Sequence, residues 1–375
     1  MDKEYYAFDF SLILPANEHI HRRGEASMIK LNNGEVMIAY ANHRAHQSNS
    51  LTPIEGDNDS ACICAVRLSP EGKVLGDEWV LVAPAPDIIN VMSPALRWLP
   101  DGKLGMLFSY RRTKKEASRL MITSEDEGKT WSEPVTVAEG GYITGCHDRF
   151  TVLSDGRLLA PLHYTGDWDL HYLKVKTALS DDCGKTWEYS NPVELPYVGP
   201  MNGWQGGFIE SGCVEPGAAE RADGSLFMCL RTAMGTLFCS ESYDRGTTWS
   251  RPRSMEVISP QAPAHLSRIP GTKDLLLIWT PNYDLNAHLS GRRHSIMCCV
   301  STDGGRTWPY HRRKLLVEDK KHSVDYPAVL YMDNEVWLTL RRSSTAEISG
   351  GLTSSGLMKI PLEWLYSRSY RRLPL

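Results

Sequence analysis

The chain has 375 residues, of which 42% are hydrophobic and 23% are charged, and its formal net charge is −4. This composition supports a sizeable core, and the slightly acidic balance provides no global basic field, so no nucleic-acid partner is expected. No run approaches the roughly 18 apolar residues of a membrane helix, so no membrane partner is expected either.

The N-terminal segment MDKEYYAFDFSLILP lacks a basic start followed by an apolar run and a small-residue cleavage site. A cytoplasmic protein is therefore the default expectation, although a secreted protein with a trimmed signal peptide would look the same. The nine cysteines are an odd number with no framework spacing, and Cys62, Cys64, Cys298 and Cys299, which stand in apolar strand-like runs, are expected to be reduced core thiols. The oligomeric state is left open.

Short apolar runs alternate with tight turns along the whole chain, as expected for strands joined in hairpins. Residues 275–280 and 336–340 are typical of these runs, being rich in strand-forming residues and too short for helices. Dipeptides such as Asp-Gly between apolar runs indicate hairpin turns. Such turns stand at residues 32–34, 100–102, 154–156 and 222–224, with weaker versions at 272–274 and 332–334.

An eight-residue signature, S-x-D-x-G-x-T-W, begins at Ser124, Ser180, Ser242 and Ser301, and an eroded copy begins at Ser69. The near-constant spacing indicates one structural unit repeated along the chain, and six units of about 60 residues would fill it. In each signature the Asp can bond local backbone, the Gly can adopt a conformation that a Cβ opposes, and the Trp can pack beneath. These motifs are therefore predicted to be structural.

Four-stranded units repeated around a ring predict an all-β fold, a single six-bladed β-propeller over residues 1–375. Residues 6–14 precede unit one, and the last unit lacks a convincing fourth strand. The N-terminal strand is expected to close the last blade and remove an exposed edge. With strands A to D in each unit, the A–B turns and the Asp motifs lie at one rim, called the lower rim here.

The opposite, upper rim carries many arginines although the chain is acidic overall. They are Arg23, Arg44, Arg111, Arg112, Arg149, Arg231, Arg293, Arg341 and Arg342. Because guanidinium presents a planar fork that fits carboxylate or phosphate, this rim predicts an anionic ligand. The same rim also carries Glu215, Tyr326, Asp57 and Asp59.

These motifs resemble the sialidase (neuraminidase) superfamily, in its branch of BNR-repeat sialidase-like proteins, where the repeats are called Asp-boxes. The resemblance covers nearly the whole chain and implies a six-bladed propeller. It also implies three arginines that hold a sugar carboxylate, a tyrosine nucleophile assisted by a glutamate, and an aspartate acid/base. A tyrosine nucleophile sets sialidases apart from most glycosidases.

The resemblance implies catalytic roles for Tyr326, Glu215 and Asp59. Tyr326 stands in Tyr-Pro where sialidases usually have Tyr-Ser, and Glu215 precedes a strand that ends at Arg231. Asp59 begins strand C of unit one, and Asp57 is an alternative.

Substrate binding is assigned to Arg23, Arg231, Arg293 and Arg149. Arg293 lies eight residues before Ser301, an interval that agrees with the family. Arg23 stands in Arg-Gly-Glu-Ala instead of the family's Arg-Ile-Pro, a departure that bears directly on the carboxylate clamp.

The predicted function is a retaining glycosidase for a terminal acidic sugar, with an exo-α-sialidase as the first hypothesis. No metal or cofactor is expected, since the sequence has no ligand-spaced Cys/His cluster and no phosphate loop. A hydrolase or lyase for a uronate-type sugar is an alternative, with proton transfer by His43, His147, His163 or His294. A non-catalytic glycan-binding propeller is another, since fold does not fix function.

Overall fold

The structure is a computed structural model that describes residues 4–44, 57, 59–196, 201–202, 208–209, 211–284, 291–348 and 351–367. The regular secondary structure of the described residues is β-strand, apart from one short α-helix, α1 (Leu362–Tyr366), and 3₁₀ turns such as those at Trp168–Leu170 and Tyr310–Arg312. None of the described helices has the length and hydropathy of a membrane span.

The strands of the first half are β1 (Tyr5–Tyr6), β2 (Phe10–Leu14), β3 (Ile20–Lys30), β4 (Val36–Arg44), β5 (Ala61–Leu68), β6 (Val74–Val82), β7 (Asn90–Trp98), β8 (Leu104–Thr113), β9 (Glu116–Ser124), β10 (Val135–Ala138), β11 (Tyr142–Thr144), β12 (Thr151–Val152), β13 (Leu158–Thr165), β14 (Tyr172–Ser180) and β15 (Glu188–Tyr189). Those of the second half are β16 (Met201–Asn202), β17 (Phe208–Ile209), β18 (Ser211–Gly212), β19 (Val214–Glu220), β20 (Leu226–Arg231), β21 (Thr236–Ser242), β22 (Arg253–Ile258), β23 (His265–Arg268), β24 (Leu275–Trp279), β25 (Ser295–Ser301), β26 (Lys314–Glu318), β27 (Val324–Met332), β28 (Glu335–Ser343) and β29 (Thr353–Pro361).

Each sequence unit folds as an antiparallel sheet in chain order. Units one and two are β3–β6 and β7–β10, and unit four is β19–β22. Unit three pairs both β11 and β12 with β13, followed by β14 and β15. Unit five is β23–β26, with β1 paired to β26. Unit six is β27–β29, and β2 pairs antiparallel with β29 as its fourth strand.

Apolar side chains fill the space between consecutive sheets. One buried cluster joins units five and six through residues such as Ile278 and Leu338. Another joins unit six to unit one, with Trp337 packed in the same cluster as Met28 and Tyr40. The first strands of successive units also approach one another, β27 with β3, β3 with β7, and β19 with β23. The start of each unit therefore faces the others, which is where side chains from distant units can meet.

The four Asp-boxes connect the third and fourth strands of units two to five. In the first box Asp126 accepts the Thr130 N–H and hydroxyl at 2.8 and 2.6 Å, while Ser124 Oγ accepts the Gly128 N–H at 2.8 Å. The Thr130 hydroxyl and backbone N–H groups lower the pKa of Asp126 to about 2. Asp182, Asp244 and Asp303 repeat this bonding in their own boxes. The box carboxylates thus hold their own turns.

Candidate active site

The first strands of four units share a β-bulge. The pairing register shifts between Gly24 and Ser27, Met92 and Ala95, Val214 and Gly217, and Asp325 and Ala328. Within each bulge one residue has a positive φ, namely Glu25 (57°), Ser93 (55°), Glu215 (46°) and Tyr326 (53°). This backbone costs about 1–3 kcal/mol per residue and clusters at functional sites, and a bulge re-aims a side chain. All four residues line one cleft.

Tyr326 and Glu215 form a hydrogen-bonded pair in this cleft. The phenol donates to Oε1 of Glu215 at 2.9 Å, although the two residues come from units six and four. Oε2 of the same carboxylate accepts a bond from Arg231 at 2.5 Å. The carboxylate is therefore held between a phenol and a guanidinium, and only the approach of two distant strands brings these groups together.

The electrostatics of this pair keep the proton on the phenol. Burial opposes ionisation of Glu215, but the Arg231 guanidinium outweighs it and lowers the pKa of the carboxyl. Burial and the Glu215 charge raise the pKa of Tyr326 well above its ordinary value. A carboxylate beside a protonated phenol is the arrangement that a general base and its nucleophile require before reaction.

Two further arginines converge on Asp325, the residue before the tyrosine. Arg341 donates to both carboxylate oxygens at 2.7 and 2.9 Å, and Arg293 donates to Oδ2 at 2.9 Å. Burial opposes ionisation of Asp325, yet Arg341 and Arg293 hold its pKa well below the usual range. The Arg341 guanidinium also lies over the Tyr326 ring, 4.2 Å from its centroid, and Arg293 lies 5.9 Å from it.

Arg22 joins two carboxylates at the other side of the cleft. It donates to Asp57 at 2.7 Å and to Glu25, whose second oxygen accepts the Ser93 hydroxyl at 2.7 Å. Burial raises the pKa of Glu25 despite this arginine. Desolvation also opposes ionisation of Asp57, but there Arg22 prevails and the pKa lies well below its ordinary value. The two carboxyl groups therefore differ in protonation tendency although they share one arginine.

Neutral histidines surround these charges. Burial lowers the pKa of His43 to about 3 and that of His163 to about 4, and it lowers the pKa of His147 well below its ordinary value. His163 lines the cleft, and its Nδ1 accepts the Glu215 N–H at 3.4 Å. The His147 ring lies 5.3 Å from the Tyr326 ring. His294 lies near the same rim but is not among the residues that line the cleft.

The structure brings together Tyr326, Glu215, Arg231 and Arg293. Arg23 instead faces Glu78, with which it forms an ion pair at 3.0 Å. Arg149 is buried against His265 and the carbonyl of Ala264, and it lines a different cavity of about 500 Å³. Asp59 presents its backbone carbonyl to Asn90, whereas the Asp57 side chain reaches the cleft.

Sequence reasoning gave no site role to Arg22, Glu25, Asp325 or Arg341. A signal for Glu25 does exist in the chain, because Glu25, Ser93 and Glu215 each stand nine residues before the glycine of the following turn, at Gly34, Gly102 and Gly224. Arg341 was visible only as one of several rim arginines. The pairing of Arg341 with Asp325 depends on the register of β27 against β28, where the two residues are directly opposite.

One group of potential metal ligands lies among the described residues, outside the cleft. Glu4, Asp319 and His322 place ligand atoms within 4.8 Å of one another. Asp319 already accepts bonds from Tyr6 at 2.6 Å and from Arg342 at 3.3 Å. A cation here would have to compete with the Arg342 guanidinium, so the group fits an ion-pair network better than a metal site.

The family model described as BNR repeat-like domain matches residues 77–338, which is more than half of the chain. The chain belongs to this family. A curated relative, a sialidase of Bacteroides fragilis (strain YCH46), is 24% identical over 247 residues, covering 62% of this chain and 41% of that protein. The chain thus spans less than half of that relative's length.

Solved sialidases share the fold of this BNR repeat-like protein. The NanB sialidase of Streptococcus pneumoniae superposes with a TM-score of 0.70 at 12% identity, covering 94% of this chain and 71% of that one. A Trypanosoma rangeli sialidase in complex with 2,3-difluorosialic acid, described as a covalent intermediate, gives 0.63 at 15% identity, covering 97% and 59%. The all-β fold is therefore that of the sialidase β-propellers.

Proposed function

We propose that this BNR repeat-like protein is a retaining exo-glycosidase that removes a terminal acidic sugar, with sialic acid as the first candidate. The observation that carries this proposal is the Tyr326–Glu215 hydrogen bond of 2.9 Å in a cleft whose lining residues Asp57, Glu215 and Tyr326 contact the guanidinium groups of Arg22, Arg231 and Arg341 respectively. Residues 1–375 would form one six-bladed propeller closed by β2. The apolar clusters between consecutive units, including units six and one, support that closure.

In the proposed first step Glu215 takes the phenol proton while the Tyr326 oxygen attacks the anomeric carbon. A phenol is otherwise a weak nucleophile at neutral pH, since its reference pKa is about 10. Arg231 holds Glu215 ionised beforehand. A neutral phenol also meets less repulsion from a substrate carboxylate than a carboxylate nucleophile would.

Arg22, Arg231, Arg293 and Arg341 would recognise the substrate carboxylate. Arg22 takes the place that the sequence gave to Arg23, because Arg22 reaches Asp57 and Glu25 while Arg23 faces Glu78. Asp325 holds Arg293 and Arg341, Glu25 holds Arg22 and Glu215 holds Arg231, so these guanidinium groups are oriented before the ligand arrives. Preorganised donors of this kind bind an anion without the cost of ordering long side chains.

The Trypanosoma rangeli sialidase structure is described as a covalent intermediate with 2,3-difluorosialic acid, and the same reagent tests this chain. We expect it to label Tyr326, which mass spectrometry of proteolytic peptides would detect. Tyr326→Phe should remain unlabelled. For the wild type acting on a sialoside, proton NMR should show a product that retains the anomeric configuration. No labelling combined with no sugar release from sialosides would reject the proposal.

A lyase or hydrolase for a uronate-type sugar is the second candidate, favoured by one observation. His163 is held neutral beside Glu215 in the same cleft and has the protonation state of a base. Uronate-containing oligosaccharides test it: a lyase product absorbs in the ultraviolet because it contains a conjugated double bond. Binding of acidic glycans without turnover of either substrate class would instead indicate a glycan-binding propeller.

A further inference from the structure

A retaining glycosidase needs a second group, a carboxylic acid that protonates the departing oxygen. The Asp59 side chain is not among the residues that line the cleft. Asp57 lines it, but its side chain is 51% exposed, unlike that of the buried Glu25, and its pair with Arg22 at 2.7 Å favours the ionised form. Neither aspartate is therefore arranged to keep a proton for delivery.

We infer that Glu25 is the proton donor of this site. The inference rests on the proposed glycosidase function and departs from the expectation that an aspartate donates. Glu25 occupies the same bulge position of its strand as Glu215 and Tyr326 do in theirs, with a φ of 57°. It is 3% exposed and lines the cleft that contains both of them.

The contacts of Glu25 suit a group that changes charge during reaction. Oε2 lies 2.7 Å from the Ser93 hydroxyl, which can accept from the protonated acid or donate to the carboxylate. Arg22 contacts Oε1 and stabilises the carboxylate that remains after the proton has left. Asp57 competes for the same guanidinium. The two environments thus separate Glu25, which favours the proton, from Asp57, which stays ionised.

The groups that act on Glu25 come from several elements packed around it. They are Arg22 on its own strand, Asp57, Ser93 on β7, Arg119 on β9, Cys146, Tyr326 on β27 and Arg341 on β28. Burial and the Asp57 charge favour the protonated acid, whereas Arg22 and Arg341 oppose it. Removing the Asp57 charge should therefore make Glu25 a stronger acid.

The proton inventory of the reaction balances with Glu25 in this role. As the bond between the anomeric carbon and the Tyr326 oxygen forms, Glu215 receives the phenol proton and the Glu25 proton passes to the leaving oxygen. Water then attacks the anomeric carbon and gives a proton to the Glu25 carboxylate. The tyrosine oxygen leaves and recovers its proton from Glu215, so both carboxyl groups return to their starting states.

Two substrates that differ in their leaving group test the assignment. An aryl sialoside with an acidic phenol needs little protonation, whereas sialyllactose needs a full proton transfer. We expect Glu25→Gln to lower kcat/KM on sialyllactose by about 10²–10⁴-fold and on the aryl sialoside by less than ~10-fold. Glu35→Gln, just after the turn at residues 32–34 where the partly exposed Glu35 pairs with Arg67, is the matched control and should change neither.

Each outcome supports or contradicts the assignment of Glu25 as the proton donor. Equal losses on both substrates, or no loss on sialyllactose, would overturn the assignment to Glu25 while leaving the glycosidase intact. If Asp57→Asn, and not Glu25→Gln, showed a large loss on sialyllactose and a small loss on the aryl sialoside, Asp57 would be the proton donor. A wild type that hydrolyses neither substrate would reject the proposed function and the donor role together.

A pH profile keeps the inference testable if Glu25→Gln does not fold. The basic limb of kcat/KM on sialyllactose should report deprotonation of Glu25. In Asp57→Asn this limb should move to lower pH, because the like charge that raises the pKa of Glu25 is gone. An unmoved limb would overturn the inference. Infrared spectra of the wild type and of Glu25→Asp should also show a protonated carboxyl band at neutral pH, and its absence from the wild type would contradict a proton on Glu25.

Discussion

The guanidinium of Arg341 lies 4.2 Å from the ring centroid of Tyr326 and forms two hydrogen bonds to Asp325, the preceding residue. One arginine thus fixes the backbone neighbour of the phenol and places a positive charge over its face. A phenolate that forms on the reaction path would be stabilised by that charge. The pair links the stability of the site to its chemistry.

Removing the Asp325 charge should destabilise the fold. Asp325→Asn would leave Arg293 and Arg341 buried without their shared carboxylate, and breaking a buried ion pair from one side costs about 3–5 kcal/mol. Denaturant unfolding at neutral pH measures this change. Asp87→Asn is the control, because Asp87 pairs with Arg112 on the surface and its loss should cost less than ~1 kcal/mol. Equal costs for both variants would contradict the argument.

The same carboxylate should make the wild type labile to acid. The folded pKa of Asp325 is depressed below its unfolded value of about 4. Its contribution is therefore present above about pH 4 and is lost as the pH falls toward the folded pKa. Buried His43 and His163 have depressed pKa values of about 3 and about 4. Because unfolding lets them take up a proton, the free energy of unfolding already begins to fall below about pH 6.5. Asp325→Asn should keep the loss of stability between about pH 6.5 and 4 and make the curve less steep below pH 4, where His43 and other carboxylates still titrate.

Tyr326→Phe should abolish turnover while the protein stays folded. The change deletes one hydroxyl group, and loss of a nucleophile lowers kcat by on the order of 10³-fold or more. Tyr331→Phe, five residues along β27, is the matched control, since Tyr331 bonds Ser267 and lines the other cavity. Sialoside hydrolysis and thermal unfolding should be measured on both variants. Comparable turnover in the two would remove Tyr326 from the mechanism.

The two neighbouring arginines of β3 provide a paired test of substrate binding. Arg22→Lys should weaken binding of a 2,3-didehydro sialic acid analogue by about 10–100-fold, because an ammonium cannot bridge Glu25 and Asp57 and also present a planar fork. Arg23→Lys should change it by less than ~3-fold, since Arg23 faces Glu78. Calorimetric titration compares the two, and a larger loss in Arg23→Lys would restore the assignment made from the sequence.

The tryptophans of the Asp-boxes should affect stability and not chemistry. Trp308 is 4% exposed and packs with Phe227, so Trp308→Ala should cost about 3–5 kcal/mol in the free energy of unfolding. Trp131→Ala, at the same position of a less buried box, should cost less. Turnover per folded molecule should match the wild type in both. A selective loss of turnover in Trp308→Ala would show that the box reaches the site.

The sequence predicted the strands well because Asp-boxes and turns punctuate them at near-constant spacing. The four boxes lie between the third and fourth strands of their units. Of the predicted N-terminal strand at residues 6–14, Phe10–Leu14 pairs with β29 of unit six, whereas Tyr6 pairs with Val317 of unit five. These features depend on local turn chemistry and on apolar runs, both of which can be read along the chain.

The sequence alone did not show which of the two neighbouring arginines of β3, Arg22 or Arg23, contacts the carboxyl groups of the cleft. Strand alternation predicts which side chains face inward only while the register is regular. β3 has register shifts between Ile20 and Arg22 and between Gly24 and Ser27, so neighbouring Arg22 and Arg23 face surroundings that a simple alternation does not assign. The choice between Asp57 and Asp59 was also open in the sequence, because no regular strand pattern precedes them; residues 45–56 and 58 lie outside the described part of the chain.

The positive-φ bulge positions restrict which residues the site can exchange. Glu25, Ser93, Glu215 and Tyr326 all adopt this left-handed backbone, and none of them is β-branched. Valine, isoleucine and threonine are strongly disfavoured there by steric contact with their own backbone. A combinatorial library for new specificity should therefore vary these positions among unbranched polar and aromatic residues. Since each position lies within a strand and not in a surface loop, such a library would change the chemistry of the cleft without changing the length of any connection.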